Sequence, residues 1–321
     1  MALPVTVYRW DDVGAPQIYT GYRSVVLNVF KKCLAEGYGS KASLGWDVIF
    51  ETPGEAIYFR NSAITGGGHV FRAYSSTTTT NAPISVICSS DFTVETSTLV
   101  RQNFLRTFQT GNGETAWILI GTERGFYFQT WNPSANNNST QINIAMGICF
   151  FAGEIDSFFE TDANPMACIS ANASSHDYAA SQADTIADID DGWNANMFYD
   201  LDNTNQYGLY KIAIGLDKAG GTDWTKNGGT HTSTGIPLIL QDIIIKGAGN
   251  PWDVDYYGIP QSNSLTRPYI RGKLPGLYRM NCCLYADQPW PTILTIDGVD
   301  YYAMPYRYGV NTLIKLDTWY D

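Results

Sequence analysis

Two hydrophobic periods run through the opening stretch of the chain, residues 5–61. Val5, Val7 and Arg9 alternate with Thr6, Tyr8 and Trp10, the two-residue period of a strand whose faces differ. Gly14 and Pro16 then punctuate a turn. From Ser24 the period lengthens: Val25 and Val26, Val29 and Phe30, Cys33 and Leu34 fall on one stripe. Asn28, Lys31, Lys32 and Glu36 lie opposite. This predicts an amphipathic helix over residues 24–36 with Ser24 as its cap. Gly37 stops it, because glycine readily takes the backbone conformation that a helix end needs. Aromatic-rich strands at 46–51 and 56–60 are expected to cover the apolar stripe.

Beyond residue 61 the two-residue period dominates. Gly66-Gly67-Gly68 marks a hairpin turn between Tyr58-Phe59 and the strand starting at Val70. Residues 83–88 read as a strand, whereas 98–108 is ambiguous between helix and strand, since Leu99, Phe104 and Phe108 form no clean helical stripe. Two runs, A-W-I-L-I-G at 116–121 and G-F-Y-F-Q-T at 125–130, flank Thr122-Glu123-Arg124 as a hairpin. Residues 142–151 are apolar enough for a strand buried on both faces. Strands are also expected at 197–200, 207–216 and 237–246. Asp297-Gly298 between 292–296 and 299–303 is the clearest turn, since Asp-Gly supplies the positive φ angles of a two-residue hairpin. The fold class is therefore mainly β: antiparallel sheets or a sandwich, with one amphipathic helix near the N-terminus.

Composition suggests a division. Residues 1–170 form an N-terminal β-rich domain, 171–235 a polar excursion or insertion rich in Ala, Ser, Asp, Asn, Gly and Thr, and 236–321 a C-terminal β region. The chain has 321 residues, 14% of them aromatic, with 21 Tyr, and only 16% charged. Such a composition suits a rigid β-rich recognition or assembly surface. Lys plus Arg total 20 against 31 Asp plus Glu, a formal charge of −11, and no basic cluster exceeds Lys31-Lys32. Nucleic acid is therefore not an expected partner, because neutralising phosphate takes clustered cations. No positive region followed by an apolar core opens the chain, so no signal peptide is expected. No apolar run nears the ~20 residues that cross a bilayer. Cys33, Cys88, Cys149, Cys168, Cys282 and Cys283 lack metal-ligand spacing and sit in apolar surroundings. They read as buried reduced thiols, which suits folding in a reducing cytoplasm.

Three constellations carry candidate chemistry. Glu154, Asp156, Glu160 and Asp162 follow a strand and could supply a glycosidase carboxylate pair, although a solvated turn is the simpler reading. Asp188-Ile189-Asp190-Asp191-Gly192 is one residue short of a calcium loop before its glycine and lacks the closing Glu, so it reads as a polar turn. His69, His176 and His231 are far apart, near glycine or serine. No catalytic residue, metal ligand or cofactor is assigned from these. Trp252, Tyr256 and Trp290, within an aromatic-rich C-terminal third, are candidate interface anchors. Arg271 and Lys273 precede Leu274-Pro275-Gly276-Leu277-Tyr278. Pro275-Gly276 predicts a type II turn holding a cationic loop, so Arg271, Lys273 and Tyr278 are further candidates for contact with an acidic neighbour. The alternative is pairing of both cations with carboxylates of their own chain.

The run Tyr8-Arg9-Trp10-Asp11-Asp12-x-Gly14-Ala15-Pro16-Gln17, followed by Gly37-Tyr38-Gly39-Ser40-Lys41-Ala42 and Gly45-Trp46, resembles a family of tailed-bacteriophage virion structural proteins. The resemblance extends through Phe59-Arg60-Asn61, the stretches 70–74 and 116–128, and Arg271-Gly272-Lys273-Leu274-Pro275-Gly276-Leu277-Tyr278. It covers about half the chain and leaves out 171–235. It implies a virion component, in the tail, baseplate or capsid-associated, made in the host cytoplasm, and no enzyme. Partners would be other copies of itself and other virion proteins, with no membrane insertion. The competing function is a glycan-binding receptor module at the tail tip, with host surface glycan as ligand. A polysaccharide-degrading enzyme is the weaker third.

Overall fold

The strand Ala116–Gly121 decides the architecture. Its side chains alternate, and every residue is buried. Trp117 and Leu119 enter one hydrophobic core, whereas Ile118 and Ile120 enter another. A strand buried on both faces needs a sheet on either side of it. The computed structural model supplies both. It describes residues 2–18, 23–75, 83–108, 115–131, 146–170, 181–182, 196–202, 204–213, 239–247, 268–284, 291–304 and 310–321.

The central sheet has the spatial order Met166–Ser170, Met146–Glu154, Gly125–Trp131, Ala116–Gly121, Thr6–Arg9, all antiparallel. The alternation seen in Ala116–Gly121 recurs in its neighbours. Phe126, Phe128, Phe150, Ala152, Met166 and Cys168 face the first core; Tyr127, Cys149, Phe151, Ala167 and Ile169 face the second.

The first core lies between this sheet and one built from Asp47–Thr52, Ala56–Arg60, Val70–Tyr74, Ile84–Thr93 and Arg106–Phe108. Thr98–Gln102 pairs with Ile84–Thr93, and Ser181–Gln182 adds a short parallel pairing on Arg106–Phe108. The ambiguous stretch 98–108 thus holds two short strands, Thr98–Gln102 and Arg106–Phe108. The two sheets touch directly where Ile84–Thr93 meets Met166–Ser170. At the other end the helix fills the space between them.

That helix spans Arg23–Lys31 and continues as one wider, π-type turn over Lys32–Glu36. Val29, Phe30, Cys33 and Leu34 are buried, as the stripe predicts, together with Val26 and Leu27, while Val25 is half-buried. Ser24 does not cap the helix; it is exposed and lies inside the first turn, one residue past the start. Gly37 does end it, with φ 80° and its N–H bonded to Lys32 O at 2.7 Å. The returning chain satisfies two carbonyls of the π turn through Leu44 N–H to Cys33 O and Trp46 N–H to Leu34 O, both 2.9 Å.

The second core lies between the central sheet and a third sheet. Its order is Asn196–Tyr199, Tyr207–Ala213, Leu240–Gly247, Ile270–Leu284, Val310–Lys315, Val299–Met304, Thr292–Ile296. Leu3–Pro4 pairs with Thr318–Trp319, tying the start of the chain to its end. Described strands from beyond residue 170 join the same body. Phe198, Tyr210 and Ile212 share the second core with Ile118, Phe151 and Tyr302, so strands of the polar excursion belong to the third sheet. The Asp297-Gly298 hairpin is present, with φ of 50° and 80°.

Candidate functional site

The stretch from Tyr8 to Trp46 folds into one interlocked corner. Edge strand Thr6–Arg9 leaves a carbonyl and an N–H facing away from the sheet, and the 37–42 turn comes back to meet them. Lys41 Nζ donates to Val7 O and to Asp12 Oδ2, both at 2.6 Å. Asp12 Oδ2 also accepts Arg9 N–H and the Tyr38 hydroxyl, both at 2.7 Å. Burial pushes the Asp12 carboxyl up, but the Lys41 and Tyr38 hydrogen bonds outweigh it and the group ends below its usual range. Tyr8 OH donates to Ala42 O at 2.6 Å. Gly39, at φ 56°, passes so close to Val13 O that a Cβ there would overlap it. Trp117 Nε1 reaches back to Pro16 O at 2.9 Å and Trp46 Nε1 to Thr122 O at 3.2 Å. The corner's polar groups are consumed in holding helix, turn and central sheet together.

A second cluster surrounds Glu154, at the end of a central-sheet strand and almost fully buried, 1% exposed. The loop after Ala56–Arg60 closes through Asn61 N–H to His69 O and His69 N–H to Asn61 Oδ1. It then offers its donors to one carboxylate oxygen. Glu154 Oε1 accepts Asn61 Nδ2 at 2.6 Å, Gly67 N–H at 2.6 Å and His69 Nδ1 at 2.8 Å. Oε2 faces the Arg124 guanidinium at 3.0 Å. Arg124 stacks on Tyr320, 4.1 Å from the ring centre, and the Tyr320 hydroxyl donates to Glu154 O at 2.7 Å. Burial pushes the Glu154 carboxyl up. The His69 hydrogen bond and electrostatic pull, then Arg124 and the Gly67 N–H, outweigh it and hold the group at about 2. A carboxylate with both oxygens occupied and so low a pKa suits a clamp rather than a general acid.

The four carboxylates considered together in the sequence do not converge. Glu154 serves this clamp. Asp156 sits 3.7 Å from Lys273 Nζ, and burial raises its carboxyl above the usual range despite that cation. Glu160 is exposed. Asp162 forms a bidentate pair with Arg271, at 2.9 Å to Nε and 2.6 Å to Nη2. No group of three or more His, Cys, Asp or Glu among the described residues could hold a metal ion. The calcium-like run 188–192, His176 and His231 lie outside the described residues.

Arg271 corrects an expectation. It is 0% exposed and cannot meet a neighbouring molecule. Besides Asp162 it donates to Tyr199 O at 2.7 Å and Asn164 O at 3.0 Å, and it lies over the Phe198 and Tyr210 rings at 5.0 and 5.5 Å. Lys273 is part-exposed between Asp242, at 3.5 Å, and Asp156. Both cations pair within the chain. Nor does Pro275-Gly276 turn the chain: both lie inside the long strand Ile270–Leu284. Against Leu240–Gly247 the register runs from Asp242↔Tyr278 to Ile244↔Lys273, so the residues between form a bulge. Gly276 has φ 64°, and a Cβ there would overlap Trp319 Nε1. The bulge drives Leu274 and Leu277 into the second core, both 0% exposed, and Tyr127 OH bonds Pro275 O at 2.9 Å. Tyr278 points to the other face beside Tyr301, ring centres 6.0 Å apart, and burial pushes its hydroxyl up to about 12. The proposed anchors Trp252, Tyr256 and Trp290 lie outside the described residues. Cys33, Cys88, Cys149 and Cys168 are buried free thiols, as expected; Cys282 and Cys283 are not among the side chains described.

Asn61, His69 and Arg124 were not singled out in the sequence as partners of Glu154. A faint signal existed, in an Asn directly after a strand and a His directly after three glycines. Gly67 itself is required, since a Cβ there would overlap the His69 ring. No protein-family model matches the chain, and no curated protein matches it.

Proposed function

We propose that this chain is a structural component of a tailed-phage virion, acting through protein–protein contacts in a repeated assembly. One observation carries the reading. The stretches that resemble virion structural proteins are those that build the body: the Tyr8–Asp12–Tyr38–Lys41 corner, Asn61 and Arg124 of the Glu154 clamp, and the 271–278 bulge. Their polar groups are spent on intrachain bonds, which is what a scaffold of fixed shape requires and a reactive site does not. Three stacked sheets sharing two aromatic-rich cores favour a rigid unit that presents its margins to neighbours.

Peptide mass spectrometry of purified phage particles tests this. The reading expects peptides from the chain to co-purify with particles at a fixed ratio to the other structural proteins. Absence from particles, or depolymerase turnover on host polysaccharide that vanishes with Asp156→Asn, overturns it in favour of the enzyme. Binding of host glycan by the isolated chain, with no particle association, would favour the receptor module.

A further inference from the structure

An unprotected sheet margin is a template for another strand, so how each margin is treated is informative. Three described margins are guarded. On Thr6–Arg9, Lys41 occupies Val7 O and Asp12 occupies Arg9 N–H. Asp47–Thr52 carries exposed Asp47 and Glu51 and a bulge between Val48 and Phe50. On Asn196–Tyr199, Asn103 Nδ2 occupies Met197 O at 2.6 Å and Arg271 occupies Tyr199 O.

Thr292–Ile296, the last strand of the third sheet, differs. It reads Thr-Ile-Leu-Thr-Ile, with no charge, no bulge and no proline. Its two-residue turn makes Ile296↔Val299 the first hydrogen-bonded pair, so Leu294↔Tyr301 is the next. Ile293 and Thr295 therefore direct their N–H and C=O groups outward, and among the described residues nothing receives them. Ile293 is 44% exposed. On the opposite face, Leu294 and Ile296 are only partly buried, at the margin of a cluster formed with Tyr278, Met280, Tyr301 and Leu313.

We infer that Thr292–Ile296 is a strand-addition surface and that its occupant is the same strand of a second copy, paired antiparallel about Leu294. The register then follows. Ile293 of each copy faces Thr295 of the other in a hydrogen-bonded pair, and the two Leu294 side chains meet, joining the two apolar clusters. Charge selects the orientation on an acidic chain. Antiparallel pairing about Leu294 sets the two Asp297 turn tips about 20 Å apart at ~3.4 Å per residue, beyond the ~8 Å screening length. Parallel pairing would put Asp297 beside Asp297. A two-fold contact of this kind closes on itself. The inference names a partner for the assembly reading above and in that sense rests on it.

The test is the mass of the full chain in solution, by light scattering over a range of concentrations, for wild type, Ile293→Lys and Ile293→Lys/Thr295→Pro. Both substitutions fall on positions whose backbone N–H points outward, so the hairpin's backbone ladder survives; Thr295→Pro also removes the bond from Thr295 Oγ1 to Asp300 Oδ1 at 2.6 Å. A single cooperative melting transition verifies that each variant stays folded. The expected result is twice the chain mass for wild type and a dissociation constant raised at least tenfold by Ile293→Lys, with a monomer for the double variant. Monomeric wild type throughout, or a dimer unaffected by folded Ile293→Lys, overturns the inference. Particle association is scored separately: its loss alone defeats the assembly reading, whereas monomeric wild type that still enters particles defeats only the contact proposed here.

Discussion

Single buried polar groups hold the layers in register, and Glu154 shows how. Its carboxylate gathers donors from the 61–69 loop and from the Arg124 turn, so its loss should be felt as stability. Glu154→Gln keeps the shape but sets an amide N–H₂ among donors, and about 3 kcal/mol should be lost, read by urea unfolding at neutral pH. The pH dependence has a definite sign. A carboxyl held at about 2 against an ordinary 4.5 contributes stability that is fully present above 4.5 and fades as the pH falls through 2. Wild type should therefore lose stability more steeply than Glu154→Gln between those limits; parallel acid-unfolding curves would remove the clamp from the account. Gly276 offers a second test. Gly276→Ala meets both a positive φ and Trp319, whereas Gly298→Ala, at φ 80°, meets no atom within 4 Å. The first should cost about 2–4 kcal/mol and the second about 1 kcal/mol, and equal costs would mean that Trp319 yields freely.

The helix is a wedge between two sheets. Phe30 lies within 4.9–6.3 Å, ring centre to ring centre, of Phe71, Phe126, Phe128 and Phe150, drawn from both of them. Phe30→Ala should cost about 3–5 kcal/mol in equilibrium unfolding, and a loss below about 1 kcal/mol would place that face outside the core. This element was legible because its stripe repeats at helical spacing over three turns and ends in a glycine that can close it. Its cap was misread because Ser24 has the right chemistry two residues past the cap position. The 116–121 and 125–130 hairpin and the Asp297-Gly298 hairpin were legible for a local reason too, short apolar runs either side of a few turn residues. The Pro275-Gly276 bulge was not. Two residues that favour a turn were overridden by a distant tryptophan, and Trp319 lies more than forty positions away in sequence. The Glu154 and Arg271 clusters were illegible for a related cause. Each gathers residues from three or four segments, and local pattern carries no trace of which segments meet.

On the scale of the whole molecule, the central sheet is what composition could only hint at. Burying both faces of one sheet takes apolar residues at consecutive positions, as in residues 116–121, and two further sheets to cover them. The third sheet brings together strands from both halves of the chain, and Leu3–Pro4 pairs with Thr318–Trp319, so the described strands form one layered body. Such a body has a fixed outline, and the proposed role depends on many copies using that outline in the same way. The most direct test is a reconstruction of intact phage particles by cryo-electron microscopy. The account predicts symmetry-related density into which the three-layered body fits as a rigid unit, with its margins against neighbouring subunits. A reconstruction in which every ordered component is assigned and this body is absent would contradict it.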